Sequence, residues 1–476
     1  MKAIILAAGA GTRMKSNLPK VLHTVTGKPM LHYVIEACQN ADITDITVVI
    51  SKNGEPVKTA TPHSVKFVEQ AEQLGTGHAV LCAKDNIDPN DQVVILCGDT
   101  PLITSAFLRK LFAFQETQEA HAVVVATKVP DPAGYGRITT SPNGDFAAIV
   151  EHKDLSATQR NITDINTGIF LATGSELLYG LARLENHNYQ NEYYLTDVPK
   201  ILKSTGYNVA VYNAPNYSEF LGVNSQKQLE TAATVLRQRI IDKHFENGVQ
   251  IIDSTAVYID AAVEIAAGVT IYPGTMLQGN SKIAENATIG PYSQVINSNI
   301  GKATTVRNSV LENATVGENC QLGPFAYLRP GTVIGDHCRI GDFVEVKNAT
   351  IGNNTNAAHL AYIGDAQVGE GVNFGCGAIT VNYDGVTKNT TIVEDNAFIG
   401  SNVNLIAPVT VHSGAFVAAG STITSEVPKN ALAIARERQV NKKGFAAKYK
   451  KLKTPPKSKA KQNKAIKENK ESKINP

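Results

Sequence analysis

Glycines and cations near the amino terminus form the most chemically suggestive pattern of the chain. The short apolar run at 2–6 predicts a buried parallel strand, and it leads into Gly9, Gly11, Arg13 and Lys20. The two glycines let the backbone turn tightly and bring its N–H groups to an anion, while the cations can neutralise oxyanions. This pattern predicts a loop that holds a nucleoside triphosphate while its α-phosphate is attacked.

Two familiar phosphate-binding loops do not match this run. A Walker A loop ends in Gly-Lys-Ser/Thr, whereas this loop has Gly-Thr-Arg at 11–13, and a dinucleotide fingerprint needs a third glycine where Met14 stands. The glycines alone would also fit an ordinary strand-to-helix turn. The whole run from Leu6 to Lys20 is more specific, and it resembles the signature of the sugar-nucleotide pyrophosphorylases.

The elements that must position this loop alternate along the first ~225 residues. β-branched runs at 47–50, 92–97 and 122–126 predict strands, and the patterns at 30–40 and 77–84 predict helices between them. Such alternation predicts an α/β domain whose parallel sheet is covered by helices on both faces. Ligands of these sheets sit at the carboxyl ends of the strands, where the loop and Asp99 both fall. Asp99 is therefore a candidate ligand of a hard divalent cation.

A different rhythm begins after residue 248. Aliphatic residues recur every six positions, for example at 316, 322, 328, 334, 340 and 346. One inward residue per six fits a β-helix with three flat sides and 18 residues per coil, so residues 250–426 predict ~10 coils. This pattern resembles the left-handed parallel β-helix of the hexapeptide-repeat acyltransferases, and the hand is taken from that resemblance.

The coil length places certain side chains on one line. Arg329 and Lys347 are 18 apart, so their charges are expected to stack and to attract an anion, although a solvated basic edge would also place them there. His359 and Tyr362 follow closely. A neutral imidazole beside a bound sugar phosphate could remove a proton from an attacking ammonium group, as acyl transfer to a sugar amine requires.

Five further runs extend the resemblance to nearly the whole chain. They lie at 325–331, 343–347, 358–366, 380–385 and 431–436. The chain resembles the bifunctional N-acetylglucosamine-1-phosphate uridylyltransferase / glucosamine-1-phosphate N-acetyltransferase family. The resemblance implies acetyl transfer from acetyl-CoA to glucosamine 1-phosphate, then uridylyl transfer from UTP with release of pyrophosphate. The product, UDP-N-acetylglucosamine, is a precursor of peptidoglycan, lipid A and other cell-envelope polymers that determine cell shape.

The resemblance also implies roles for individual residues. Arg13 and Lys20 would stabilise the developing charge, His359 would be the proton acceptor, and Asn224 would join Asp99 in holding Mg²⁺. The nucleotide and its sugar would contact Leu6, Ala7, Ala8, Gly9, Lys20, Gln70, Gly75, Thr76, Gly98, Asp99, Gly136, Glu151, Asn166 and Asn224. The Gln70 amide matches the hydrogen-bonding edge of uracil. Glucosamine 1-phosphate would contact Arg329, Lys347, Tyr362 and Asn373, and acetyl-CoA would contact Cys376, Asn382, Tyr383, Ser401, Ala419 and Arg436.

The chain is expected to divide into four parts. These are a uridylyltransferase domain at 1–226, a helical linker at 227–247, a β-helix acetyltransferase domain at 248–440, and a lysine-rich, largely disordered tail at 441–476. The tail has 13 lysines and two glutamates, a net charge of +11, so residues 1–440 carry −9 of the total +2. A solvated tail is the favoured interpretation, and contact with anionic ligands, RNA or lipid headgroups is the alternative.

The bulk properties restrict location and partners. Six scattered cysteines without a Cys-x-x-Cys pair suit a reducing cytoplasm, and no run is long enough to span a bilayer. We expect a cytoplasmic homotrimer, as in the family, that binds small molecules and neither nucleic acid nor membranes. Cys376 and Cys97 depart from the family, where Ala and often Tyr are expected. Cys320 and Cys338, 18 apart, are expected to be buried free thiols.

Two other functions remain open at this point. The first is a monofunctional sugar-nucleotide pyrophosphorylase whose β-helix is structural or regulatory, which leaves Arg329, Lys347 and His359 without a role. The second is a non-enzymatic scaffold or exchange factor, because fold does not determine function. That alternative leaves the glycine loop unexplained.

Overall fold

Two architectures follow one another along the chain, joined by a long helix. The computed structural model describes residues 1–9, 11–62, 64–141, 143 and 145–453. The first architecture is a layered α/β domain, and the second is a three-sided stack of short parallel strands. Both were predicted from the hydrophobic rhythm, and both predictions are confirmed.

The amino-terminal domain is built on one mixed sheet. The strands of this sheet are β1 (Lys2–Leu6), β4 (Asp45–Ser51), β5 (Lys66–Gln70), β6 (Gln92–Cys97), β7 (Ala122–Lys128), β8 (Arg137–Thr140), β9 (Phe146–Val150), β10 (Asp164–Thr173) and β11 (Val209–Ala214). Strands β2 (Thr24–Val25) and β3 (Lys28–Pro29) form a separate short hairpin. The spatial order is β11-β7-β10-β6-β1-β4-β5, with the β8–β9 hairpin beside β10.

Helices cover both faces of this sheet. They are α1 (Met30–Gln39), α2 (Glu55–Ala60), α3 (Thr76–Cys82), α4 (Ser105–Thr117), α5 (Gly174–Leu181) and α6 (Asp197–Ser204). The side chain of Ile4 packs into one core cluster, whereas those of Ala3 and Ile5 pack into another. The central strand β1 is thus buried on both faces, as a continuous apolar run predicts.

One strand departs from the predicted parallel sheet. β10 runs antiparallel to both β6 and β7, whereas β1, β4, β5 and β6 are mutually parallel. The reason lies in its connection, because β10 follows the β8–β9 hairpin without a crossover helix, and parallel pairing requires such a crossover.

The long helix α7 (Gln226–Glu246) connects the two architectures. Ser225 caps it by accepting a hydrogen bond from the Gln228 backbone N–H at 3.3 Å. Leu236 packs against the first domain, and Ile241 belongs to the core of the strand stack. The linker therefore packs against both architectures.

The carboxyl-terminal prism has three faces of short strands. The first face contains Gln250–Ile251, Thr270–Ile271, Thr288–Ile289, Thr305–Val306, Gln321–Leu322, the start of Arg339–Lys347, the start of Asn356–Gly364, Asn373–Phe374, Phe398–Ile399, Phe416–Val417 and Leu432–Ala433. The second face contains Tyr258–Ile259, Met276–Gln278, Gln294–Ile296, Val310–Glu312, Tyr327–Leu328, the ends of those two long strands, Ile379–Val381, Asn404–Ile406 and Thr422–Ile423. The third face contains Glu264–Ile265, Lys282–Ile283, Asn299–Ile300, Thr315–Val316, Val333–Ile334, Thr350–Ile351, Ala366–Val368, Thr391–Val393 and Val409–Val411.

The predicted aliphatic ladder forms the prism core. The side chains at 316, 322, 328, 334, 340 and 346 are all buried in one cluster. Coil length is less regular than predicted, because paired strands such as Thr288 with Thr305 and Thr305 with Gln321 are 17 and 16 residues apart. The corners of the shorter coils contain fewer residues, so the aliphatic side chain of each strand still points inward. One coil is longer, since Asn373 pairs with Phe398 and the segment 382–390 leaves the prism.

The chain continues beyond the last coil into the exposed helix α8 (Phe445–Lys453). The rest of the predicted tail, 454–476, lies outside the described residues. Within the described ranges, no helix is both long and apolar enough to cross a membrane.

Candidate active sites

A cavity of about 300 Å³ opens at the carboxyl ends of β1 and β6. Its wall contains many of the predicted nucleotide residues, namely Leu6, Ala7, Ala8, Gly9, Lys20, Gln70, Gly75, Thr76 and Asp99. Gly98 lies directly behind it and donates its N–H to the Leu6 carbonyl at 2.9 Å. The parallel strands thus bring together residues that are far apart in sequence.

Lys20 is the central cation of this cavity. Its ammonium donates hydrogen bonds to the Asp99 carboxylate and, at 2.9 Å, to the Asn224 side-chain oxygen. Gly11 permits this approach, because its φ is +61° and a Cβ there would lie 2.8 Å from the Cβ of Lys20. The loop glycine therefore positions the cation as well as the backbone.

The two predicted metal ligands fit a hard divalent cation. Asp99 and Asn224 offer one carboxylate and one amide oxygen, and both lie within reach of the Lys20 ammonium. No group of three or more His, Cys, Asp or Glu side chains in the described ranges could hold a metal. One carboxylate and one amide oxygen are the kind of hard donors that bind a divalent cation together with substrate phosphates.

Arg13 is placed differently from Lys20. It lies in the one-turn 3₁₀ helix Thr12–Met14 with an exposed side chain, and it does not line the cavity wall. Its part in charge stabilisation stays a prediction.

The side chain of Gln70 is held in the wall of the nucleotide cavity. Its side chain is buried, and its amide nitrogen donates to the Gly75 carbonyl at 3.0 Å and lies 3.2 Å from His78 Nδ1. A held amide is preorganised for a flat polar edge, as the predicted uracil contact requires.

A second cavity of about 120 Å³ adjoins the first and shares Leu6, Thr76 and Cys97 with it. It contains Glu151 and Asn166. The backbone N–H of Asn166 donates to the Gly136 carbonyl at 2.9 Å, and a Cβ on Gly136 would lie 3.6 Å from Glu151 Oε2. The structure therefore brings the three predicted sugar residues together beside the nucleotide cavity.

Burial controls the protonation of two groups here. It raises the pKa of Glu151, although the Thr196 hydroxyl donates to that carboxylate at 3.0 Å. It also raises the pKa of the Cys97 thiol to about 12, and Asp99 adds to the effect. The Cys97 thiol, which lines both cavities, is therefore favoured in its neutral form.

On the prism, the predicted cation pair is in register. The Arg329 N–H donates to the Val346 carbonyl at 2.8 Å, which places Lys347 beside Arg329. Each cation has a carboxylate partner, Glu345 at 2.8 Å from Arg329 and Asp365 at 3.7 Å from Lys347. The hydrogen bond to Glu345 raises the pKa of Arg329. These carboxylates supply part of the negative charge that a bound anion was predicted to provide.

Lys388 is a third cation that sequence reasoning missed. It lies in the segment 382–390, where its backbone pairs with that of Tyr383 in an isolated antiparallel β-bridge. Its contact with Lys347 lowers the pKa of Lys388. Asp384 closes the segment by accepting the N–H groups of Val386 and Thr387 at 2.8 and 2.7 Å. The break of the six-residue rhythm at this point was the available signal.

His359 lies at the corner between the first and second faces, called corner I below. Its Nδ1 is 2.8 Å from Asp342 Oδ1, and the two residues pair directly in neighbouring coils. Donation of Nδ1–H to Asp342 leaves the Nε2 lone pair available to accept a proton. The same hydrogen bond lowers the pKa of Asp342. Asp342 was not predicted, although its position 17 residues before His359 is one coil length.

The predicted acetyl-CoA residues continue along corner I. The N–H of Asn402 donates to the Cys376 carbonyl at 2.8 Å, and the N–H of Gly420 donates to the Ser401 carbonyl at 2.8 Å. Cys376, Ser401 and Ala419 are therefore successive exposed members of one column, and register places His359 immediately before them. A Cβ on Gly420 would lie 3.8 Å from Arg436 Cδ, so Arg436 flanks the end of this column.

The remaining predicted residues do not all meet in one chain. The Asn382 amide donates to Asp365 and lies 3.4 Å from the Tyr362 hydroxyl, so these groups share the second face with Tyr383 close by. Asn373 is on the first face, where it pairs with Asn356. A single prism thus separates Asn373 from Tyr362.

Comparison with known proteins covers both architectures. Residues 3–165 match the MobA-like NTP transferase domain, and residues 313–348 and 390–425 match the bacterial transferase hexapeptide (six repeats). The parallel prism is the left-handed β-helix of this repeat class. A putative glucose-1-phosphate thymidylyltransferase structure from Bacillus anthracis is 22% identical and covers 49% of this chain and 94% of that chain, with a TM-score of 0.41.

Three curated relatives cover almost the full length. The bifunctional protein GlmU of Clostridioides difficile is 48% identical over 94% of this chain and 97% of its own length. The bifunctional protein GlmU of Clostridium botulinum ATCC 19397 is 49% identical over 93% of this chain and 97% of its own. The bifunctional protein GlmU of Geobacillus sp. WCH70 is 48% identical over 93% and 97%. At this identity and coverage, the chain belongs to the family of bifunctional GlmU proteins.

Proposed function

We propose that this enzyme makes UDP-N-acetylglucosamine in two steps, one on each architecture. Acetyl-CoA acetylates glucosamine 1-phosphate on the prism, and UTP then uridylylates N-acetylglucosamine 1-phosphate in the amino-terminal domain. The observation that carries the proposal is the presence on one chain of both the Lys20–Asp99–Asn224 cluster and the Asp342–His359 pair. The product would supply peptidoglycan and other envelope polymers.

In the acetyl transfer, the sugar amine attacks the thioester carbonyl and CoA leaves as the C–S bond breaks. His359 Nε2 accepts the proton that the amine loses, while Asp342 stabilises the imidazolium that forms. Arg329, Lys347 and Lys388 provide positive charge for the sugar phosphate. Because Glu345 and Asp365 already hold two of these side chains, little rotamer freedom remains to be lost on binding.

In the uridylyl transfer, a phosphate oxygen of the acetylated sugar attacks the α-phosphorus of UTP, and the bond to pyrophosphate breaks. Lys20 neutralises charge on the phosphates, and the protein supplies positioning rather than a covalent nucleophile. Mg²⁺, held by Asp99 and Asn224, would screen the triphosphate when bound. Glu151, Asn166 and Gly136 would orient the sugar.

We further propose that the enzyme is a cytoplasmic homotrimer. Four large apolar side chains on corner I are 57–73% exposed and form the ridge Tyr292, Phe325, Phe343 and Leu360. The rings of Phe325 and Phe343 stack at 5.5 Å, next to the Asp342–His359 pair. An interface there would bring Asn373 of one prism to the second face of another. All six cysteines are free thiols, which supports a cytoplasmic location.

A coupled assay of both half-reactions tests the function. Wild-type enzyme is expected to release CoA with glucosamine 1-phosphate, and His359→Ala should lose about 100-fold or more of that rate, since general base catalysis contributes 10²–10⁴. Uridylyl transfer should continue at the wild-type rate. Arg13→Ala is expected to do the reverse and abolish only pyrophosphate formation.

His337→Ala is the matched control, because His337 is an exposed histidine of the preceding coil without a carboxylate partner among the described residues. It should leave both rates unchanged. If wild-type enzyme releases no CoA under conditions that support uridylyl transfer, the monofunctional pyrophosphorylase is the correct alternative. Absence of both activities would favour the other alternative, a non-enzymatic scaffold or exchange factor.

A further inference from the structure

The helix α8 at the carboxyl-terminal end of the prism has an apolar stripe that the described protein does not cover. Phe445, Tyr449 and Leu452 have i, i+4, i+7 spacing and are 56%, 46% and 76% exposed. The rings of Phe445 and Tyr449 stack at a centroid distance of 6.0 Å, so the stripe is already formed. No residue of α8 is buried.

Lysines border this stripe on both sides. At 100° per residue, Lys448 lies on one side and Lys453 on the other. The Lys453 ammonium is 4.8 Å from the Tyr449 ring centroid. Lys442 and Lys443 immediately precede the helix. An apolar stripe between two rows of cations is the pattern of a helix that lies in a membrane interface, with apolar side chains inserted and lysines at the headgroups.

We propose that α8 binds the surface of an anionic lipid bilayer. Charge favours this occupant, since residues 441–476 carry +11 while the rest of the chain carries −9 and would itself be repelled. Nucleic acid would need the cations but would leave the stripe without a partner, whereas a bilayer uses both. The inference extends beyond the proposed function, and it takes up lipid headgroups, the alternative to a solvated tail.

The helix is placed suitably for this contact. It follows the last first-face strand, Leu432–Ala433, whereas the prism begins at Gln250–Ile251 next to α7. The strand that precedes α8 therefore lies at the end of the prism that is opposite to the amino-terminal domain. Binding through α8 would leave the nucleotide cavity open.

Co-sedimentation of the full-length protein with vesicles tests the proposal. Wild-type protein is expected to bind vesicles of phosphatidylglycerol and phosphatidylcholine, and to bind pure phosphatidylcholine vesicles much less. Phe445→Ser combined with Leu452→Ser keeps every charge and should weaken binding about 10-fold or more, because the buried apolar area is lost. Lys448→Gln combined with Lys453→Gln should weaken binding and reduce its dependence on salt.

Ala447→Ser, on the opposite side of α8, is the matched control and should bind as the wild type does. All variants should retain both enzyme rates, which shows that they fold. Wild-type protein that ignores anionic vesicles would overturn the proposal. So would a Phe445→Ser/Leu452→Ser variant that binds them unchanged, or preferential binding of wild type to single-stranded RNA. Self-association through the stripe without vesicle binding would assign it instead to a second copy of the chain.

Discussion

At the scale of single residues, the cation of the nucleotide loop differs from its neighbours in what holds it. Lys20 contacts Asp99 and Asn224, while Lys15 is exposed. The residue type alone does not separate these two lysines. The side-chain contacts distinguish them, because only a held cation is preorganised toward a developing charge.

This difference predicts separate outcomes for two substitutions in the loop. Lys20→Met should reduce kcat for uridylyl transfer by about 10²–10³-fold, the usual cost of removing one preorganised group at developing charge. Lys15→Met, a matched exposed lysine, should have no effect on that rate. Acetyl transfer measured by CoA release should be unchanged in both. Equal losses in the two variants would mean that the loop acts only through its net charge.

At the scale of elements, pairings between short parallel strands make the prism regular. In its last coils, contacts among His412, Glu394 and Glu426, called the clamp below, join the strands further. His412 Nδ1 is 3.0 Å from Glu394 Oε1, and Nε2 contacts Glu426. Hydrogen bonds to Glu426 and Glu394 raise the pKa of His412, and those from Ser413 and His412 lower the pKa of Glu394. Val427, next to Glu426, donates its N–H to Thr410 at 2.9 Å. The imidazolium thus ties the final segment to the third face.

The clamp predicts a pH dependence with a defined sign. Because its folded pKa is raised, His412 contributes stability fully below its unfolded pKa of ~6.5, and loses it as pH rises through the folded value. Glu394 has a lowered pKa, so its contribution is present above ~4.3 and is lost in acid. Amide exchange of residues 424–431 should therefore be faster in His412→Gln than in wild type near pH 6.

The ratio of the two exchange rates should approach one near pH 9, since comparison at equal pH cancels the intrinsic rate. His337→Gln, an exposed histidine without a carboxylate partner among the described residues, should give a ratio of one throughout. A ratio that stays constant for His412→Gln would show that the ring packs there without its charge.

At the scale of the whole molecule, the apolar ridge and the split site point to the same assembly. Phe343 is 60% exposed beside Asp342, and Asn373 and Tyr362 lie on different faces of one prism. An exposed aromatic ridge of this size in a single chain marks an interaction surface. The acetyl-transfer site is accordingly expected to need neighbouring prisms, whereas the nucleotide cavity lies within one chain.

Phe343→Asp should therefore lower the mass in analytical ultracentrifugation from three chains toward one of 50.9 kDa. CoA release should fall with the loss of trimer, while uridylyl transfer stays near the wild-type rate. Val333→Asp, at an exposed apolar position on the third face, is the control and should remain trimeric. A monomeric Phe343→Asp that still acetylates at full rate would place the whole acetyl site in one prism.

Much of the fold followed from local patterns. The six-residue rhythm located the prism core because each short strand must bury one aliphatic side chain, and this holds even where coils shorten to 16 or 17 residues. The antiparallel course of β10 did not follow, because its residues read as a buried strand in either direction. Coil lengths did not follow either, since corners tolerate one or two fewer residues without moving the inward side chains.

At the active sites, the sequence likewise identified residues by type and spacing but did not identify the side chains that they contact. Type and spacing were enough to identify the glycine loop, the stacked Arg329 and Lys347, and buried free Cys320 and Cys338. Only the three-dimensional structure joined Lys20 to Asn224, His359 to Asp342, and Lys388 to Lys347. Hydrophobic periodicity depends only on residues that are close in sequence, so it can be recognised from the sequence alone. Contacts between side chains on separate elements depend on register, on corner length and on where a loop leaves the prism, and packing of the whole chain decides those.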